Sequence, residues 1–295
     1  MSLSFDHNES LAEARARNVR DALEEDIGVA DWTARLVPAE RRVRARVIVR
    51  EHAVLAGRDW FDGVFAAVDA RSRIEWLHAE GSDLKPDDIV CTIEADARAL
   101  LTSERPALNF LQLLSGTATV TRQYARAIDG ASPNPKGCAV LDTRKTLPGL
   151  RLAQKYAVRV GGGHNQRLAL YDGILIKENH IASAGGVTAA LRAAQTLVQA
   201  QAPGIGIQIE VESIEQLKEA LDSGATSILI DNFSLEMMRE AVAITAHRAL
   251  LETSGGVTLD ALRAIAETGV DRISVGKLTK DVRAVDFSMR VLDTI

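Results

Sequence analysis

The sequence predicts an α/β protein in two parts, a mixed α+β unit followed by an incomplete TIM-like α/β barrel. Three observations carry this. Early strand-like stretches alternate apolar and charged residues in period 2, the pattern of a sheet with one solvated face. Beyond about residue 139, short apolar runs instead alternate with amphipathic helices, the rhythm of βα units on a parallel sheet. Nearly every one of those runs ends in a polar residue, which in a barrel is where the chemistry sits.

In chain order, Glu9 to Glu25 reads as a helix with Leu11, Ala14, Val19, Ala22 and Leu23 on its apolar stripe. Val43 to Arg50 alternates apolar with basic residues, Arg73 to His78 repeats the idea, and Gly57 to Ala70 between them is helical. Gly81 to Asp88 is a turn and Ile89 to Glu94 a further strand. A long helix runs from about Arg105, with Pro106 in its first turn, through Leu108, Leu111 and Leu114 to Ile128. The turn residues Ser132-Pro133-Asn134-Pro135-Lys136-Gly137 then divide the chain into 1–134 and 135–295, the extreme C-terminus being free to pack back on the first part. After the break come strands at 139–141, 174–176, 207–209, 227–230, 249–251 and 273–275, with helices at 148–160 and 258–268 among the connections. Six strands rather than eight imply an incomplete barrel, with an open doubly wound sheet as the competing architecture.

Composition excludes several classes. Across 295 residues, 35 Lys and Arg stand against 40 Asp and Glu, a net charge of −5 that argues against nucleic acid or an anionic membrane as partner. No window reaches the roughly 20 apolar residues of a membrane span. Met1 to Glu9 lacks the basic and apolar regions of a signal peptide, so a cytoplasmic location is expected. Two cysteines, Cys91 and Cys138, sit apart from any Cys/His cluster and read as buried thiols.

The charge is unevenly spread. Between Thr143 and Lys177 there are seven basic residues and one acidic, a local +6 that leaves −11 for the rest. Arg144 and Lys145 directly follow one strand and Lys177 ends the next, so cations gather at adjacent strand ends, as a small polyanion requires. Arg151 and Lys155, one helical turn apart, read equally as a solvated face or as part of the pocket. His164 follows Gly161-Gly162-Gly163, a run that matches neither a Walker loop nor a dinucleotide fingerprint. Ser254-Gly255-Gly256 and Ser274-Val275-Gly276 open the loops after the last two strands, where barrels hold phosphate on backbone N–H groups and a helix N-terminus. Glu210 and Asp231 end neighbouring strands and suit ribose hydroxyls, Mg²⁺ or a developing cation.

Four stretches, Glu104 to Phe110, Leu141 to Arg151, Ile176 to His180 and Ile230 to Phe233, resemble the quinolinate phosphoribosyltransferase family, and the resemblance runs over essentially the whole chain. It implies an N-terminal α/β sandwich domain, an incomplete α/β barrel, and a homodimer whose sites take residues from both chains. It implies the reaction of quinolinate with phosphoribosyl pyrophosphate and Mg²⁺ to give nicotinate mononucleotide, pyrophosphate and CO₂ in NAD synthesis, with no organic cofactor. By position, Arg144, Lys145, Arg167 and Lys177 match the basic pocket, with Thr143 beside them and Arg105 reaching into the partner's site. Glu210 and Asp231 match the acidic pair at ribose and metal, and residues 254–256 and 274–276 match the 5′-phosphate loops. Lys145, Glu210 and Asp231 are the expected catalytic residues.

Two departures stand out. Many members have histidine where this chain has Gln166, with His164 two residues earlier as the candidate stand-in. Many carry another histidine where this chain reads Lys277 to Asp281, with Lys280 as the nearest charge. Competing readings are a related phosphoribosyltransferase, either molybdenum-associated or using nicotinate without decarboxylation, a Schiff-base barrel aldolase on Lys177, and a non-catalytic ligand-binding relative.

Overall fold

The structure, a computed structural model, describes residues 7–39 and 41–295. The opening Met1 to Asp6, weighed above for a signal peptide, lies outside the described residues. In chain order the elements are α1 (Leu11–Ile27), β1 (Arg42–Val49), β2 (Ala53–Val54), α2 (Arg58–Val68), β3 (Arg73–Trp76), β4 (Asp83–Leu84), β5 (Ile89–Asp96), α3 (Ala97–Ala127), β6 (Ala139–Leu141), α4 (Arg151–Val160) and β7 (Gly173–Ile176). There follow α5 (Glu178–Ala184), α6 (Val187–Gln201), β8 (Gly206–Val211), α7 (Ile214–Asp222), β9 (Ser227–Asp231), α8 (Leu235–Thr245), β10 (Leu250–Ser254), α9 (Leu259–Ala266), β11 (Arg272–Ser274), α10 (Lys277–Lys280) and β12 (Phe287–Thr294). Among the described residues no helix is long and apolar enough to cross a membrane.

These form two compact units, neither of them a single stretch of chain. The first holds the residues up to Arg122 together with Thr146–Gly162 and Lys277–Ile295; the second holds Gln123–Lys145 and Gly163–Gly276. The division therefore runs differently from one cut at 134/135. Side chains of α4 explain part of the difference. Ala153 and Ala157 join the first unit's core, the Tyr156 ring lies 5.3 Å from that of Trp60, and Gln154 Nε2 donates to Thr279 O at 2.8 Å.

In the first unit, β12, β1, β5 and β3 form a four-stranded sheet in that order, with every pairing antiparallel. Alternate residues of β1 are buried, as its apolar/basic alternation predicts, against Trp60, Phe61 and Phe65 of α2 and Leu108, Leu111 and Leu114 of α3. Ser10 caps α1 through a reciprocal pair with Glu13, the Ser10 N–H donating to the carboxylate at 2.8 Å and the Glu13 N–H to the hydroxyl. One reading needs correction: α3 starts at Ala97, so Pro106 stands inside it and not in its first turn. An internal proline costs about 3 kcal/mol, and here burial on both sides of it, at Leu100 and then Ala107 and Leu108, keeps the helix continuous.

In the second unit six parallel strands lie in the order β6-β11-β10-β9-β8-β7. From β7 to β11 each strand sits beside the next in sequence, and β6 then pairs with β11. A doubly wound sheet reverses its order at a switch point; this one does not, so the strands circulate as a barrel does. Closure is incomplete, since among the described residues β6 and β7 are not paired with each other, and on the free edge of β6 His164 makes a parallel bridge to Leu141.

Candidate active site

Strand register collects the site. Glu210 on β8 is level with Leu229, which is level with Glu252 on β10, and Asp231 is level with Ser254 one rung higher. Ser274 on β11 is level with Leu141. Side chains two residues apart on a strand share a face, so Gln208, Glu210, Asp231, Glu252, Ser254 and Ser274 all project to one side. Ile176 pairs with Ile209, so Lys177 follows beside Glu210. The ammonium of Lys177 donates to Glu210 Oε2 at 2.7 Å. That places Lys177 in an ion pair, whereas a Schiff-base nucleophile is an amine in an apolar pocket.

Asp231 is clamped at both oxygens. Ser254 Oγ donates to Oδ1 at 2.6 Å and Asn232 Nδ2 to Oδ2 at 2.7 Å. Asn232 holds a left-handed backbone (φ 57°) and closes against Gly255, whose φ is +102°. A Cβ at Gly255 would lie 2.3 Å from Asn232 Oδ1, so a side chain here both strains the backbone and displaces Asn232. The N–H groups of Gly255 and Gly256 make no hydrogen bond among the described residues, and Thr258 caps α9 without a side-chain bond. Donors are thus left for an anion at this turn. Gly255→Ala is expected to weaken binding of a phosphate-bearing ligand about tenfold and to cost about 1–3 kcal/mol of stability through strain, checked by ligand titration and thermal melting.

On the basic side, buried Asp142 directs the loop after α4. Asn165 Nδ2 donates to its Oδ2 at 2.7 Å and the Gln166 N–H to its Oδ1 at 2.9 Å. Arg167 follows, held by Nη1 donating to Gly173 O at 2.8 Å, while its Nε is buried with no hydrogen-bond partner. Burial, and then the nearby charge of Arg144, hold its guanidinium below the ordinary value. Two guanidiniums that repel each other, one with a spare buried donor, describe a seat for a carboxylate. The Lys145 side chain passes over Gly276, where a Cβ would lie 3.1 Å from its Cδ, and its N–H donates to Thr143 Oγ1 at 3.1 Å.

Other expected residues land elsewhere or act differently. The Ser274 hydroxyl donates to Glu252 Oε1 and the Val275 N–H to Leu141 O at 2.8 Å, so neither is a spare donor to a phosphate. His164 contributes its backbone to the edge of β6, with N–H to Val140 O at 2.8 Å and its own carbonyl accepting from Asp142 N at 3.1 Å, while the residue itself is exposed. Arg151, Lys155 and Arg105 belong to the first unit. Arg151 Nε donates to Thr146 Oγ1 at 3.2 Å, and Lys155 is 1% exposed, which rules out a solvated face. Arg105 is exposed on α3, and its side chain makes no hydrogen bond or ion pair among the described residues. Lys280 pairs with Asp281 at 3.7 Å. The sequence reading missed Asn232, Gln208 and Glu252. Among the described residues no group of three or more His, Cys, Asp and Glu is gathered for a metal.

Fold and site together define an α/β-barrel enzyme acting on a polyanionic small molecule, with cations and a glycine turn at one end of the strands and a carboxylate pair between them. The family model for the N-terminal domain of quinolinate phosphoribosyl transferase matches residues 31–115, and that for its C-terminal domain matches residues 117–290. The nicotinate-nucleotide pyrophosphorylase (carboxylating) of Mycobacterium leprae is 42% identical over 286 residues, covering 94% of this chain and 97% of that protein. A probable nicotinate-nucleotide pyrophosphorylase (carboxylating) of Bacillus subtilis is 39% identical over 267 residues, 90% of each. The structure of the nicotinate-nucleotide pyrophosphorylase from Francisella tularensis superposes with a TM-score of 0.90 at 39% identity, over 97% of this chain and 100% of that one. The chain belongs to the quinolinate phosphoribosyltransferase family.

Proposed function

We propose that this chain transfers phosphoribose from phosphoribosyl pyrophosphate to quinolinate with decarboxylation, giving nicotinate mononucleotide, pyrophosphate and CO₂ for NAD synthesis. The observation that carries the reading is Arg167 beside Arg144, its buried Nε without a hydrogen-bond partner, a donor that a substrate carboxylate engages. Lys145 adds a point charge beside them, and Arg105, exposed and unengaged, reaches the site of a second protomer in a homodimer. The 5′-phosphate lies on the N–H groups of Gly255 and Gly256, and the ribose hydroxyls donate to Glu210 and Asp231.

The chemistry needs no side-chain nucleophile. As the bond from the ribose C1 to pyrophosphate breaks, positive charge develops on the ribose ring, and the Glu210 carboxylate stabilises it. Lys177, already bonded to Glu210, holds that carboxylate in place. The quinolinate nitrogen forms the new bond to C1 and becomes cationic. The adjacent carboxylate leaves as CO₂, its electron pair stays on the ring carbon beside that nitrogen, and a proton replaces it. Glu210 and Asp231 are the carboxylates that would hold Mg²⁺, which when bound would supply charge neutralisation to the leaving group. Incubation with quinolinate, phosphoribosyl pyrophosphate and Mg²⁺ is expected to release CO₂ and nicotinate mononucleotide in equal amounts, and chelation to stop both. Absence of product with Mg²⁺ present overturns the reading; product from nicotinate without CO₂ assigns the non-decarboxylating alternative.

A further inference from the structure

Beneath the candidate pocket runs a chain of buried polar groups that the reaction does not use. Glu252 is 1% exposed in the middle of β10, an expensive place for a carboxylate. Among the described residues it forms no ion pair. Its Oε2 accepts from Gln208 Nε2 at 2.9 Å and its Oε1 from the Ser274 hydroxyl. Gln208, itself buried on β8, turns its Oε1 to accept from Gln166 Nε2 at 3.0 Å.

The direction of this chain is fixed by chemistry. A carboxylate only accepts, whereas an amide carries a donor at one end and an acceptor at the other. Glu252 therefore takes the NH₂ of Gln208, which leaves the Gln208 oxygen toward Gln166, which in turn fixes the NH₂ of Gln166 inward. A leucine at 252 would remove the acceptor that sets the direction of Gln208. Gln166 is thus anchored twice, by its backbone to Asp142 and by its side chain through Gln208 to Glu252, immediately before Arg167.

We propose that Glu252 is a positioning residue which, through Gln208, fixes Gln166 and with it the Arg167 segment that receives the quinolinate carboxylates. The inference rests on the function proposed above. A neutral amide needs a polarised partner to choose one orientation, and Glu252 supplies the polarity.

Steady-state kinetics on Gln208→Met, Glu252→Gln, Gln166→Ala and the Gln166→Ala/Gln208→Met double variant test this, with thermal melting alongside. Gln208→Met is expected to raise KM for quinolinate about five- to tenfold, the scale of one hydrogen bond, while KM for phosphoribosyl pyrophosphate and kcat change less than twofold. Glu252→Gln, which can still accept from Gln208 but no longer dictates direction, raises KM for quinolinate by a smaller factor. The double variant matches the worse single variant, because both break one relay. Multiplying losses, an unchanged KM for quinolinate in Gln208→Met, or equal rises in both KM values each overturn the proposal. If Glu252→Gln does not fold, Glu252→Asp, whose shorter carboxylate draws back from Gln208, takes its place with the same expected rise in KM for quinolinate, and an unchanged KM overturns the proposal. Failure of the wild-type protein to turn over quinolinate would sink the function itself; normal wild-type turnover with unaffected variants would sink only the relay.

Discussion

Lys145→Ala is expected to lower kcat/KM by about 10²–10³, the usual loss on removing one preorganised charge from a transition state, with no change in melting temperature. The two halves of that expectation have separate grounds. Lys145 is exposed and follows β6 by four residues, so its truncation opens no cavity in either core. Its side chain nonetheless lies close over Gly276, a position where a Cβ would lie 3.1 Å from Cδ. Lysine is a compact point charge on a flexible stem, suited to follow charge that moves from ribose to leaving pyrophosphate. Arginine at 145 is therefore expected to recover little activity. Kinetics with both substrates varied, beside a melting curve, check this; wild-type kcat/KM in Lys145→Ala would show that the pocket is misplaced.

How much of this was legible in the sequence follows from what each signal can encode. Polar residues ending apolar triplets revealed the strand ends, and the spacings of 21, 23 and 22 among Glu210, Asp231, Ser254 and Gly276 revealed one βα unit each. Register then placed the first three on one face. Glu252 was equally visible as a lone acid within Leu250-Leu251-Glu252-Thr253-Ser254, two residues before Ser254 and so on its face, but a reading that looked only at strand ends passed over it. Direction of hydrogen bonding was not legible. Ser274 looked like a phosphate donor and instead gives its hydroxyl to Glu252, a choice set by a neighbouring strand. Helix α4 shows the same limit at larger scale, since an apolar stripe says that a helix packs but not on what. Pro106 misled for a related reason: local preference placed a helix start there, and burial of the flanking turns overrode it. The strand β12 was not read as a strand, although Phe287, Met289 and Val291 recur at every second position; the C-terminus was expected only to pack back on the first part, and it does so as the partner of β1.

Glu210→Gln is expected to lower kcat by about 10²–10³ while both KM values change by less than about threefold, because a carboxylate facing a developing cation acts chiefly in the transition state. Glutamine preserves the shape and can still accept from Lys177 Nζ, now 2.7 Å from Oε2, so the substitution removes charge and little else. Stability decides whether that interpretation is clean. The Glu210 side chain is 11% exposed but that of Lys177 is 43% exposed, so water takes up the ammonium when its partner is neutralised. The loss is then about 1 kcal/mol or less, as for surface pairs, and not the several kcal/mol of a broken buried pair. A Lys177→Met variant separates the two duties of the pair. If Lys177 only orients Glu210, adding Lys177→Met to Glu210→Gln costs little further activity; if it also holds the substrate, KM rises in the double variant as it does in Lys177→Met alone. Wild-type kcat in Glu210→Gln would mean that the ribose cation is stabilised elsewhere, with Asp231, clamped by Ser254 and Asn232, the next carboxylate to replace.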